Sequence, residues 1–118
     1  MDYFRKSTHT SPTIIMDSRF KSVLIKGDSL CNDSPLFSEV TNEIKKQLAN
    51  GDYFNLNFKF RVFNAWTAKS LLEMLKDLRA KKPSMIVNWL YEKQDEEMRE
   101  MGLDYSELLE MDFNFVTN

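Results

Sequence analysis

Tyr53-Phe54-Asn55-Leu56-Asn57-Phe58-Lys59-Phe60-Arg61-Val62-Phe63-Asn64 repeats its character every second residue. In an extended chain Phe54, Leu56, Phe58, Phe60 and Val62 share one side, and Asn55, Asn57, Lys59 and Arg61 share the other. A strand that is dry on one face and wet on the other belongs to a sheet covered by helices on a single side, because strands covered on both faces are apolar throughout. The expected fold class is therefore α/β with α+β character: a single mixed sheet of about five strands with helices packed mainly on one face.

The flanking sequence supplies the other elements. Thr13–Met16 and Ser22–Lys26 are short apolar runs separated by Asp17-Ser18-Arg19-Phe20, which predicts a hairpin. Ser84–Tyr91 (SMIVNWLY), apolar at most positions, predicts a strand inside the sheet, and Phe113–Val116 a short edge strand. Phe37, Val40, Ile44 and Leu48 recur at helical spacing and predict a helix over Leu36–Asn50, bounded by Ser34-Pro35 and Asn50-Gly51. Ala68, Leu71, Leu72, Leu75 and Leu78 predict a second helix over Ala65–Lys81, stopped before Pro83. Its C-terminal end carries Lys76, Arg79, Lys81 and Lys82, which suit the negative pole of the helix dipole. Met98, Met101, Leu108, Leu109 and Met111 mark a third helical region, with a break expected at Gly102 and a restart at Asp104-x-x-Glu107. The order is β-β-α-β-α-β-α-β. Helices that leave one strand and lead into the next imply right-handed crossovers and parallel pairing, while the strand order stays open. No Pro/Gly/Ser-rich stretch divides the 118 residues, so one domain over 1–118 is expected.

Composition excludes several kinds of chemistry. The glycines stand apart at Gly27, Gly51 and Gly102, whereas phosphate-cradling loops need them close together. One cysteine, Cys31, and one histidine, His9, make neither a disulfide framework nor a His/Cys zinc site. His9 is expected in an exposed, mobile N-terminal stretch, away from any nucleophile. Asp95, Glu96, Glu97, Glu100 and Asp104 lack the ligand order and central glycine of an EF-hand and are expected on a solvated helix face. No catalytic residue, metal or cofactor is therefore expected.

The net charge of −2 is spread unevenly: residues 1–91 carry 14 basic and 9 acidic groups, residues 92–118 carry 2 and 9. The acidic last quarter would repel phosphate, which argues against nucleic acid. The alternating aromatics of Phe54–Val62 resemble an RNA-stacking strand, but they share the face that the helices must cover. No run of about 18 apolar residues occurs, so no membrane span is expected. Arg5 and Lys6 are followed by no apolar stretch, so no signal peptide is expected, and the lone cysteine suits the reducing cytoplasm.

The remaining segment of interest joins the long strand to the second helix: Asn64-Ala65-Trp66-Thr67-Ala68-Lys69-Ser70. Asn64 is a suitable N-cap, which would leave the following amides available to an anion or a partner's carboxylate. A phosphate on Thr67 or Ser70 would add about −1.5 to −2 charges here, and Trp66, if exposed, would anchor a partner.

At this loop the chain resembles the SiaC family of bacterial regulatory phosphoproteins. The resemblance rests on Phe63-Asn64, a polar segment, Lys69-x-Leu71-Leu72, then Val87-Asn88-Trp89-x-Tyr91-Glu92 and the acidic stretch ending in Phe113-Asn114-Phe115. Thr10-Ser11-Pro12-Thr13-Ile14 and Ile25-Lys26-Gly27-Asp28-Ser29 also match, so it covers nearly the whole chain. It implies a fold similar to STAS-domain anti-sigma-factor antagonists such as SpoIIAA, and the role of a non-enzymatic, switchable adaptor. It further implies three protein partners: a dedicated Ser/Thr kinase, a PP2C-type phosphatase, and a diguanylate cyclase activated by the unphosphorylated form, with effects on c-di-GMP and biofilm. The family's acceptor threonine, in Asn-Thr-Ser-Ser after the strand, falls on Ala65, and the following serine on Trp66. Either the acceptor has moved to Thr67 or Ser70, or the chain is locked unphosphorylated, or Ala65 is itself a substitution. Asn64, Ala65, Trp66, Thr67, Lys69 and Ser70 are thus the candidate partner-binding and regulatory residues, with Thr67 the candidate phosphoacceptor. A competing expectation is a small ligand-binding or enzymatic domain with its site between sheet and helices, which would need a polar pocket there.

Overall fold

The computed structural model describes residues 3–17, 19–30, 34–48, 54–81 and 85–117. Its elements, in chain order, are β1 (Tyr3–Arg5), β2 (Thr13–Asp17), β3 (Ser22–Ser29), α1 (Ser34–Leu48), β4 (Asn55–Phe63), α2 (Ala65–Lys81), β5 (Ile86–Tyr91), α3 (Glu96–Leu109) and β6 (Phe113–Thr117). The six strands form one sheet whose spatial order is the chain order, β1-β2-β3-β4-β5-β6. The first two pairings are antiparallel and the last three parallel. Each crossover moves one strand onward in the same direction, so right-handed connections lay all three helices on the same face.

The core records that geometry. Met16, Val23, Leu56, Val87 and Phe113 are successive register partners across the sheet, and all five are buried. Ile14, Ile25, Phe58 and Trp89 form a second buried row. Leu36, Phe37, Val40 and Ile44 of α1 and Leu71, Met74, Leu75 and Leu78 of α2 join the same cluster. Burying each such side chain is worth about 1.5–3 kcal/mol, so these rows dominate the stability. On the other face a row of Asn57, Asn88 and Asn114, in register, passes hydrogen bonds from strand to strand. Asn114 donates to Asn88 at 3.0 Å, Asn88 to Asn57 at 2.8 Å, and Asn57 to the Val23 carbonyl at 3.2 Å.

Four expectations are corrected. The sheet has six strands rather than about five, because Tyr3–Arg5 pairs with β2. Three residues are too few for a periodicity to show. The segment after it is tied down, with Thr8 N bonded to the Ser11 carbonyl at 3.0 Å and Leu30 N to the Thr10 carbonyl at 2.7 Å. Val62 does not share the dry face: Gly27 pairs with Phe60 but Asp28 with Val62, so Arg61 is an extra residue in β4. That bulge reverses the alternation, turning Val62 outward and Phe63 inward onto Phe60, ring centroids 5.1 Å apart. Finally, α3 is unbroken at Gly102, and Asp95 rather than Asp104 caps it, its carboxylate accepting from Met98 N at 3.1 Å. The ends of the expected elements at Tyr53, Asn50-Gly51, Lys82-Pro83 and Ser84, and Cys31, lie outside the described residues.

Gly102 is a packing residue. A Cβ there would lie 2.6 Å from Trp89 Cδ1, 2.7 Å from its Nε1 and 2.8 Å from Phe115 Cε1. The bare helix surface lets the Trp89 indole reach the Met98 carbonyl, 2.9 Å away, while its ring packs against Phe58, Tyr105 and Phe113. Gly102→Ala gains about 1 kcal/mol of helix propensity, but overpacking a rigid ring costs about 1–3 kcal/mol. The expected outcome is a lower urea midpoint and disturbed near-ultraviolet circular dichroism from Trp89.

Candidate functional site

The first turn of α2 follows directly from the carboxyl end of β4. Asn64 caps it: its side-chain oxygen accepts from Thr67 N at 2.8 Å, and its carbonyl accepts from Ala68 N at 3.0 Å. Asn64 N in turn donates to the Ser29 carbonyl at 3.1 Å, which ties the cap to the end of β3.

Thr67 points inward and is 0% exposed. Its hydroxyl donates to the Ser29 carbonyl at 3.0 Å. With that proton committed, the 2.7 Å contact between Ser29 Oγ and Thr67 Oγ1 has Ser29 as donor. Trp66 is half-buried and packs on Phe37 of α1, ring centroids 5.9 Å apart. From α3, the Tyr105 hydroxyl donates to the Ala68 carbonyl at 2.8 Å, and burial pushes that phenol up to about 12. The turn is thus held from β3, α1 and α3 at once.

Held in this way, the turn presents Ala65 and Lys69 to solvent. Ser70 is half-buried and, with Trp66 and Glu73, lines a groove of about 470 Å³ between α1 and α2. The hydroxyl of Thr67, the candidate phosphoacceptor, lies in the interior and is spent on Ser29, so in this conformation it is closed to a kinase. Trp66 likewise offers only part of its ring. Sequence reasoning did not foresee Ser29 or Tyr105, because neither has a local pattern; each acquires its role from a contact 37 or 38 positions away.

The acidic residues of the last quarter form no cation site. Asp95 is committed to the α3 cap, and among the described residues no group of three or more His, Cys, Asp or Glu could hold a metal. The space between sheet and helices, where a ligand pocket was the competing expectation, is filled by the apolar core, and no side-chain polar atom buried among the described residues lacks a hydrogen bond. No helix among them is long and apolar enough to cross a membrane.

The model of the family described as SiaC family regulatory phosphoprotein matches residues 5–118, a span that includes the whole α2 turn. The chain belongs to the SiaC family. Solved SiaC structures share its fold. A chain of the crystal structure of the diguanylate cyclase SiaD in complex with its activator SiaC, from Pseudomonas aeruginosa, superposes with a TM-score of 0.83 at 21% identity, covering 98% of this chain and 98% of that one. Apo-SiaC from the same organism superposes at 0.79, again at 21% identity, over 100% of this chain and 98% of that one. No curated protein matches. The SiaC fold thus persists at low identity.

Two outcomes follow from the way the turn is held. Thr67→Val keeps the shape but strands the Ser29 hydroxyl and one of its carbonyl contacts, and should cost about 1–2 kcal/mol in urea unfolding, with Thr67→Ser losing less. Tyr105 keeps its proton in the folded chain to about 12, above the ordinary value of 10.0. The unfolded chain releases that proton first, so the stability Tyr105 contributes is complete below pH 10 and is lost as pH rises towards 12. Tyr105→Phe should flatten that part of the alkaline unfolding profile.

Proposed function

We propose that this SiaC-family chain is a non-enzymatic regulatory adaptor that docks a protein partner on the first turn of α2, through Asn64 to Ser70. The observation that carries the reading is a helix N-terminus braced by three neighbouring elements, with Ala65 and Lys69 turned to solvent. A braced surface loses little conformational freedom on binding, and a charge added there changes docking directly.

The partner is a diguanylate cyclase, by likeness to the SiaC found in complex with SiaD, and the output is c-di-GMP signalling in biofilm formation within the bacterial cytoplasm. A Ser/Thr kinase and a PP2C-type phosphatase would complete the circuit in a chain with an accessible acceptor. In this chain Ala65 stands at the exposed position where the family carries its threonine, and the nearest hydroxyl, on Thr67, is interior. We read it as held in the unphosphorylated, docking-competent state.

The test mixes the purified chain with a SiaD-type diguanylate cyclase and follows c-di-GMP synthesis. The parent should activate. Ala65→Glu, whose carboxylate suits a helix N-terminus and so leaves folding intact, should weaken activation at least tenfold. Equal activation by parent, Ala65→Glu and Lys69→Glu would remove this turn from the interface. Incubation with the kinase should leave the parent unmodified by mass spectrometry, and Ala65→Thr should gain one phosphate.

A further inference from the structure

A second concave site, sharing no residue with the α2 turn, lies on the helix-free side of the sheet where the carboxyl ends of β3 and β4 meet the segment Ser7–His9. Its volume is about 540 Å³, within the range of small-ligand sites.

Its floor holds an unfavourable arrangement. Lys26 and Lys59 are direct register partners on adjacent strands, both exposed, and neither makes an ion pair among the described residues. Like charges directly opposite one another on a sheet destabilise it. The nearby carboxylates do not offset them. Asp28 is engaged by Arg61 through two bonds of 2.7 and 2.6 Å, and that guanidinium holds its carboxyl below the usual range. Asp95 caps α3. Glu92, which follows β5, lines the opposite wall of the cavity beside Asp95 and makes no ion pair with either lysine among the described residues.

The rim adds a donor. Thr8 Oγ1 accepts from Thr10 N at 3.2 Å and Ser11 N at 3.0 Å, which occupies its lone pairs and leaves its proton to donate. The bond from Leu30 N to the Thr10 carbonyl fixes this segment beside the strand ends. Two ammonium groups and an oriented hydroxyl around one concavity match a compact dianion.

We propose that this cavity binds the phosphate group of a small molecule, held by Lys26, Lys59 and the Thr8 hydroxyl. Glu92 and Asp95, which line the opposite wall of the same cavity, and the acidic α3 behind them disfavour an extended polyanion, so the ligand is compact. A site kept for binding at the expense of folding makes a distinctive prediction. Replacing both lysines by glutamine removes their mutual repulsion, so Lys26→Gln/Lys59→Gln should melt no lower than the parent while losing the ligand.

The experiment titrates the isotopically labelled full chain with ribose 5-phosphate and, separately, with inorganic phosphate, each against chloride at equal ionic strength, and follows backbone amides by NMR. The expected result is saturable shifts centred on Thr8–Thr10, Lys26–Asp28 and Lys59–Arg61, weakened about tenfold or more in the double variant. Tighter binding of ribose 5-phosphate would assign a phosphate monoester and equal binding the free ion; either upholds the site. Shifts that do not saturate, that centre elsewhere, or that persist in the double variant would overturn it, as would a double variant that melts well below the parent.

Discussion

Every parallel connection in this sheet advances one strand in the same direction, and the hand of β-α-β units then puts α1, α2 and α3 on one side. That single constraint divides the molecule. The covered side takes the apolar rows that supply most of the folding energy. The uncovered side is free to carry the asparagine ladder and the paired lysines. Because α2 departs from the carboxyl end of the middle of the sheet, its first turn falls within reach of β3, α1 and α3. An added element on the uncovered face would have closed off the polar rows without improving the core.

The bracing of α2 shows how a short helix terminus becomes a defined surface. An isolated N-terminal turn has unsatisfied amides and frays. Here Asn64 satisfies one amide, Thr67 is drawn inward by Ser29, and Tyr105 holds the Ala68 carbonyl from the opposite side. The inward pull on Thr67 settles which neighbours face outward, since residues two positions to either side of a buried helical position lie on its far face. Ala65 and Lys69 are those residues.

Where a pattern is local, the sequence was a good guide. The bounds of α2 were legible from leucine spacing, an asparagine cap and the basic last turn, and β4 from its alternation, because each signal is complete within its own element. Val62 defeated the alternation because one extra residue at Arg61 shifts everything after it, and nothing in YFNLNFKFRVFN marks that residue. Gly102 was mistaken for a helix break because glycine is ordinarily weak inside helices, whereas here the missing side chain makes room for an indole. For the candidate site, the Asn64 cap was legible, but which of the following residues face outward was not: Thr67 is turned inward by Ser29, an interaction between segments distant in the chain. The lysine pair was equally hidden, since it exists only once β3 and β4 are in register.

The fit between Trp89 and Gly102 has a consequence for descent within the family. The indole occupies the volume a side chain at Gly102 would need and donates its hydrogen bond to a carbonyl one turn earlier in the same helix. Neither residue can drift alone without loss. Across divergent lineages the two should be inherited as a unit, with a bulkier residue at the helical position appearing only where a smaller ring has replaced the tryptophan.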